Sequence, residues 1–405
     1  MGRKGGSIVG PAAQSTFKLG RRAAFAGVSY AFAITMLGVA LPTPMYALYR
    51  IEFGFSVVML TVIFATFAVG VIIALLLFGR LSDEIGRRRT LLPGLGLSAL
   101  SAVAFLFADG IGMLFVGRML SGLSVGIFIG AATATLVDLA PQARGRATLV
   151  ATMVTVGGVG SGPVLAGVLS EFFGSPLILT FQVDLALLVP AAVFVWAMPE
   201  TVPATRPVRV RLQRLRVPSE MRGVFVRASL AAFAGFAVLG LFTAVAPGFL
   251  SQILEIENRA IVGLVVFSVF AASTAGQTIL IRILGRSALS AGCVGLIAGM
   301  GLLALGLELS SLGLVVAGAV VAGLGQGLSF RAGLAAVNEA APADRRGEVA
   351  SSYFVVAYVA LSLPVVGVGV VAGLLNLRAA SVIFAALVAA MAATVMVLLR
   401  RRTTR

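Results

Sequence analysis

The chain has 405 residues, of which 59% are hydrophobic and only 11% charged, and its mean hydropathy is +1.07. Water-soluble domains run nearer half apolar with about a quarter charged, so this composition excludes one. The net charge of +16 invites a nucleic-acid partner, while the absence of His and the single Cys293 argue against a His-ligated metal and exclude an internal disulfide.

In chain order, residues 1–22 form a basic tail carrying Arg3, Lys4, Lys18, Arg21 and Arg22. Twelve apolar stretches follow: 23–47, 56–78, 90–108, 111–136, 148–169, 176–198, 224–246, 260–281, 288–307, 311–337, 349–374 and 378–399. Each approaches or exceeds the roughly 20 residues that a helix needs to cross ~30 Å of hydrocarbon. The runs are continuous rather than alternating, which predicts helices and not a barrel. The first run is long enough to span and lacks a convincing cleavage site, so it reads as a span rather than a signal peptide. It holds no acid. Its candidates for a substrate pathway are Tyr30 and Tyr46, and Leu41-Pro42-Thr43-Pro44 predicts a break near its outer end.

Between the second and third spans lies GRLSDEIGRRRT, residues 79–90. Gly79 and Gly86 permit tight turns. Asp83 suits the positive end of a helix, and Arg87 and Arg88 suit carboxylates, Asp138 among them, or lipid phosphates. In the fourth span Arg118 stands seven residues from the start, ~10 Å deep at 1.5 Å per residue. A charge at that depth costs roughly 2.5–3.5 kcal/mol even on lenient scales, so it must face water, a partner or a substrate. The fifth span carries Gly158, Gly162, Pro163 and Gly167, where the proline bends the helix and the glycines leave room to pack. Asp184, eight residues into the sixth span, is the one acid well inside a span. Exchange of an Arg118 partner against an apolar environment would let it take up and release a proton.

The polar linker 199–223 divides an N-terminal bundle, 23–198, from a C-terminal bundle, 224–399, and residues 400–405 form a basic tail. An offset of 201 carries Gly122 to Gly323, Gly126 to Gly327, Asp138 to Glu339, Pro141 to Pro342, Arg144 to Arg345 and Pro163 to Pro364. Six pairs in register indicate parallel repeats of six spans, with a site between the halves. With the N-terminus inside, the cytoplasmic side holds 26 of the 31 basic residues, counting Arg227 at the inner edge of the seventh span; three lie outside and two, Arg118 and Arg331, lie deeper within spans. That bias places both termini in the cytoplasm and accounts for the net charge without a nucleic acid.

The spacing Gly79, Asp83, Gly86, Arg87, Arg88 resembles the loop between helices 2 and 3 of the major facilitator superfamily. Arg118, Gly122 and Gly126 resemble its helix-4 motif. Gly158, Gly162, Pro163 and Gly167 resemble its helix-5 antiporter motif, with Ala166 where Gly is frequent. The resemblance implies an all-α membrane protein of twelve helices in two pseudo-symmetric six-helix bundles around a central cavity. It also implies that the 79–90 loop latches the halves when the cavity faces outward, its Asp meeting the start of helix 11; Glu84 departs from the basic residue common there. The drug/proton-antiporter-like branch is the expected one, so the implied activity is export of small molecules by alternating access in exchange for protons, a multidrug-resistance function. The alternative is a facilitator or proton-symport uptake carrier. The sequence has no Gly-x-Ser-x-Gly elbow and no phosphate loop, so neither an enzyme nor ATP use is expected. The expected partners are a small-molecule substrate, protons and membrane lipids, with no cofactor or metal, in a monomer of the cytoplasmic membrane.

Overall fold

The computed structural model describes residues 19–78, 84–202, 215–343 and 345–403. Gly79 and Asp83, the tail before residue 19 and positions 203–214 of the linker lie outside the described residues. The N-terminal half comprises α1 (Arg21–Ala40), α2 (Pro42–Phe53), α3 (Val57–Phe78), α4 (Arg87–Leu106), α5 (Ile111–Leu139), α6 (Arg144–Phe172) and α7 (Pro176–Ala197). The C-terminal half comprises α8 (Arg222–Ala244), α9 (Ala246–Gln252), α10 (Arg259–Ala275), α11 (Ile281–Leu284), α12 (Ala288–Glu308), α13 (Leu312–Ala340), α14 (Arg346–Leu374) and α15 (Leu377–Thr403).

Eleven helical stretches among the described residues are long and apolar enough to cross a membrane. One of them, Arg259–Glu308, contains two spans. The chain reverses at Gly285, whose φ of +48° suits a residue without Cβ. Both arms then lie on α13, where Gly327 abuts Ser273 of α10 and Gly325 abuts Gly292 and Gly295 of α12. The bundle therefore has twelve spans, the first and seventh broken near one end. Pro42 and Pro247 open the continuing segments α2 and α9, each removing the backbone donor an unbroken helix would use.

The two halves repeat one packing plan. α3 lies on α5 as α10 lies on α13, α4 on α5 as α12 on α13, and α1 on α6 as α8 on α14. Close helix approach explains the repeated glycines. Gly122 and Gly126 face the α3 backbone at Phe67 and Val71, while Gly323 and Gly327 face the α10 backbone at Val269 and Ser273. Small residues permit this contact where van der Waals packing replaces the hydrophobic drive. Gly130, one turn further along α5, meets nothing within 4 Å, so the seam ends before it. Outward-facing Val69, Leu100, Val193, Leu264, Leu363 and Leu387 are exposed, as lipid-facing side chains are in a span.

Two seams join the halves, α6 along α10 and α3 along α14. One face of the bundle carries the Arg-rich turns, and here it is termed the basic face. Near the opposite face a single apolar core draws on both halves, including Leu41, Met45, Tyr46, Val238, Leu241, Val265 and Val365. Toward the basic face the core divides. One cluster around Val28, Leu95, Leu136 and Ala147 belongs chiefly to the N-terminal half, and another around Met221, Val337, Val349 and Tyr353 to the C-terminal half. The halves are therefore sealed at one face and parted at the other.

Candidate functional site

The parted halves enclose a cavity of about 300 Å³ between α1, α3, α5, α6 and their C-terminal counterparts α8, α10, α13, α14. Its walls are mainly aliphatic and aromatic, and among the described residues no carboxylate lines it. Thr148, Thr152, Gln277 and Arg331 also border a second recess, reaching Gly145 and Arg282, that continues toward the basic face.

Arg118 lies at the sealed end and is 1% exposed. Its Nη1 donates to the Val39 carbonyl at 2.8 Å, the one side-chain hydrogen bond it makes among the described residues, and its Nε has no partner there. The guanidinium stands 5.1 Å from the ring centre of Phe67, 5.3 Å from Phe64 and 5.7 Å from Tyr46. Each cation–π contact contributes about 0.5–2 kcal/mol in a desolvated setting. Together with the charged hydrogen bond they offset the burial of the ion, yet most of its donors remain free for water or a ligand. The α1 break matters here, because Val39 sits one turn before the two prolines. The Tyr46 ring packs against the Arg118 guanidinium but does not line the central cavity. It borders a separate recess of about 220 Å³ on the opposite face.

Asp184 and Tyr30 are placed elsewhere. Neither lines the cavity: both belong to the contact between α7 and α1. Tyr30 donates to the Leu187 carbonyl at 3.1 Å and meets Phe194 edge-on. Asp184 is 2% exposed, its Oδ1 has no partner among the described residues, and both its oxygens stand 3.0 Å from where a Gly38 Cβ would be. A direct Arg118–Asp184 pair, the basis of the expected proton relay, is not formed. The two instead bear on adjacent residues of α1, Asp184 on Gly38 and Arg118 on Val39. Depth along the helices is similar, but their azimuths differ.

At the basic face, Arg87 Nε meets Asp138 Oδ2 at 3.0 Å. Gly86, at φ +104°, presents the next two backbone N–H groups to Glu200, which accepts from Arg87 N at 2.7 Å and Arg88 N at 3.2 Å. The Arg88 guanidinium also lies over Trp196 at 5.9 Å. Glu200 thus occupies the positive end of α4. This residue escaped the sequence reading, since an acid in a polar linker looks merely solvated. Its only signal was adjacency to the end of the sixth span.

The helix-5 motif occupies both faces of α6. Gly158 and Gly162 abut α1 at Ala33 and Leu37, whereas Pro163 and Gly167 abut α10 at Gly263 and Arg259. At the opposite face Glu171 of α6 accepts from Arg259 N at 2.9 Å and Asn258 Nδ2 at 3.3 Å, and Arg259 Nη1 reaches the Ser170 carbonyl at 3.0 Å. These hydrogen bonds hold the halves together where the cavity is sealed. In the C-terminal half, Gln277 Nε2 donates to Ser273 Oγ at 3.1 Å, and Ser273 Oγ donates to Gln326 Oε1 at 2.5 Å. This group was likewise missed from the sequence, although amides amid apolar runs were a visible signal.

Two related helical halves around a cavity closed at one face form the architecture of a membrane transporter. A Major Facilitator Superfamily model matches residues 23–363, and the chain belongs to that family. Over 185 residues, 45% of its length, it is 29% identical to a triacylglyceride transporter of Mycolicibacterium smegmatis, covering 30% of that protein. Over 169 residues, 41% of its length, it is 28% identical to an uncharacterized MFS-type transporter of Mycobacterium tuberculosis, covering 28% of it. The matched part thus spans less than a third of either relative. Among crystal structures, a bacterial homolog of the human lysosomal transporter Spinster, inward-facing and unoccupied, aligns with a TM-score of 0.70 at 14% identity, over 94% of this chain and 97% of that one. A point mutant of the nucleoside transporter NupG aligns at 0.70 and 13% identity, over 93% and 99%. Human organic anion transporter MFSD10 aligns at 0.63 and 16%, over 94% and 100%. These likenesses show the fold.

Proposed function

We propose that the chain exports amphiphilic, neutral-to-anionic small molecules across the cytoplasmic membrane by alternating access, in exchange for protons. The basic face is then cytoplasmic, as the positive-inside bias predicts, and the cavity described here is the cytoplasm-open state. The observation that carries the reading is the cavity itself, mainly apolar, without a carboxylate among its described lining residues, and with Arg118 at its sealed end. Such walls accept an apolar body and an acidic or polar group and disfavour a cation. The α6 motif, in contact with α1 and α10 at once, supports export as an antiporter.

Asp184 is the proposed proton carrier, acting through α1. A change in its charge alters its contact with Gly38, next to the carbonyl that holds Arg118. Asp83, with Gly79, Gly86, Arg87, Arg88 and Asp138, is proposed to latch the halves at the basic face in the opposite state.

The test is accumulation in cells lacking their major exporters, with amphiphilic acids and matched cations as substrates. Expression should lower accumulation of the acids, and a protonophore should restore it. Increased accumulation on expression would instead favour the uptake carrier.

A further inference from the structure

The pseudo-symmetry of the halves marks out where this chain departs from its own repeat. Gly122 and Gly126 rest on Phe67 and Val71, while Gly323 and Gly327 rest on Val269 and Ser273, so the two seams superimpose residue by residue. In that register Ser273 corresponds to Val71, Gln277 to Leu75 and Gln326 to Val125. Three aliphatic positions of the N-terminal half are polar in the C-terminal half. Packing alone does not require this, because the same seam is built without polar groups one half away.

These polar side chains are 0%, 8% and 1% exposed, yet all three line the cavity. The chain Gln277 Nε2 to Ser273 Oγ to Gln326 Oε1 uses one donor of Gln277 and the acceptor of Gln326. It leaves the Gln326 amide N–H groups and the Gln277 amide oxygen without a partner among the described residues. An amide left so would cost about 1–3 kcal/mol if it stayed dry. Gln277 is placed by a π-turn, Gly276–Leu280, which interrupts the regular helix between α10 and α11. Such turns are rare and frequently occur at functional sites. Gly276 lets that turn approach the α13 backbone at Leu324. One turn beyond Gln326, Phe330 stands 5.0 Å from the Phe236 ring, and both line the same cavity. A free donor, a free acceptor and aromatic faces thus occupy one wall.

We infer that Gln326, Gln277 and Ser273 form a hydrogen-bonding subsite for a planar amide or lactam group of the transported molecule. The ligand's carbonyl accepts from the Gln326 amide, its N–H donates to the Gln277 amide oxygen, and its ring lies against Phe236 and Phe330. The inference rests on the central cavity being the substrate site. It adds a requirement that the apolar walls and the arginines do not impose, a paired donor and acceptor on the ligand. A site built for such a pair rejects an analogue that lacks the donor, because buried polar groups are then left unpaired.

The test uses the purified full chain in detergent micelles and equilibrium dialysis of two matched pairs. These are 2-quinolone with N-methyl-2-quinolone, and isoquinolin-1-one with its N-methyl derivative. Each lactam should bind about tenfold more tightly than its N-methyl partner, the loss expected for one buried hydrogen bond. Gln277→Leu should bring lactam affinity down to the N-methyl value and leave the N-methyl value unchanged, whereas Gln326→Leu, which removes the donor to the carbonyl that both forms keep, should weaken both about tenfold. The equivalent N-terminal positions already carry Val125 and Leu75, so aliphatic side chains suit this packing. Should a variant misfold, the wild-type pairs decide alone. Equal binding of lactam and N-methyl forms, binding of neither, a preference that survives Gln277→Leu, or binding of both forms unaffected by Gln326→Leu would overturn the inference. Binding in micelles needs no gradient. A transporter that ignores pH yet prefers lactams would sink proton exchange and leave this subsite standing.

Discussion

Arg118 is held by geometry specific to a guanidinium, with one N–H on the Val39 carbonyl and three aromatic rings within 6 Å of its carbon. A Lys ammonium lacks the planar fork and is more strongly hydrated, so the exchange is not conservative here. Arg118→Ala should abolish efflux and Arg118→Lys should reduce it at least about tenfold, with membrane insertion unchanged in both. Near-normal efflux from Arg118→Lys would show that only charge matters. Glu200 offers a second residue-scale test. Its carboxylate holds the first two backbone N–H groups of α4, a contact of about 1 kcal/mol. Glu200→Ala should raise amide hydrogen exchange at Arg87 and Arg88 about fivefold, while Glu200→Gln, which keeps an acceptor, should raise it less.

At the scale of helices, the glycine seams give a paired prediction. A Cβ on Gly126 would meet the Val71 carbonyl at 2.8 Å and the Ala74 Cβ at 2.5 Å, whereas one on Gly130 meets nothing. Gly126→Val should destabilise the bundle by about 1–3 kcal/mol through overpacking, and Gly130→Ala should stabilise it by up to about 1 kcal/mol through helix propensity. Thermal unfolding in detergent reads both, and equal effects would contradict the seam. Much at this scale was legible beforehand. Span length follows from apolar runs, the break at Leu41-Pro42 from proline chemistry, and the repeat from glycines whose spacing the backbone contact fixes. What the chain order could not supply was azimuth. Counting residues places Arg118 and Asp184 at similar depth, but only neighbouring helices decide that one faces the cavity and the other faces Gly38. The π-turn before α11 similarly rotates Gln277 by an amount that a regular helical period does not anticipate. Glu200 needed the partner helix to be visible at all, because its role depends on where α4 begins.

At the scale of the whole molecule, the halves share one core near the opposite face and part toward the basic face. Alternation requires that the shared contacts break and others form. The Glu171 contacts to Asn258 and Arg259 are the polar part of that seal. Glu171→Ala should shift the population toward the state open at the opposite face by roughly the worth of a charged hydrogen bond, about 1.5–3 kcal/mol. A Thr43→Cys reporter in a Cys293→Ser background should then react faster with a membrane-impermeant thiol reagent from the opposite face. Thr43 is 1% exposed in the state described here, so unchanged labelling would show that Glu171 does not hold the gate.

Exchange of protons for substrate is the central claim, and flux in proteoliposomes with an imposed pH gradient addresses it most directly. Purified chain is reconstituted, an amphiphilic acid found in the accumulation screen is loaded on the side of the basic face, and the opposite compartment is made acidic. The gradient should accelerate flux and drive accumulation above equilibrium, and Asp184→Asn should abolish this accumulation while downhill exchange continues. Flux that is the same with and without the gradient would contradict the account and leave a facilitator.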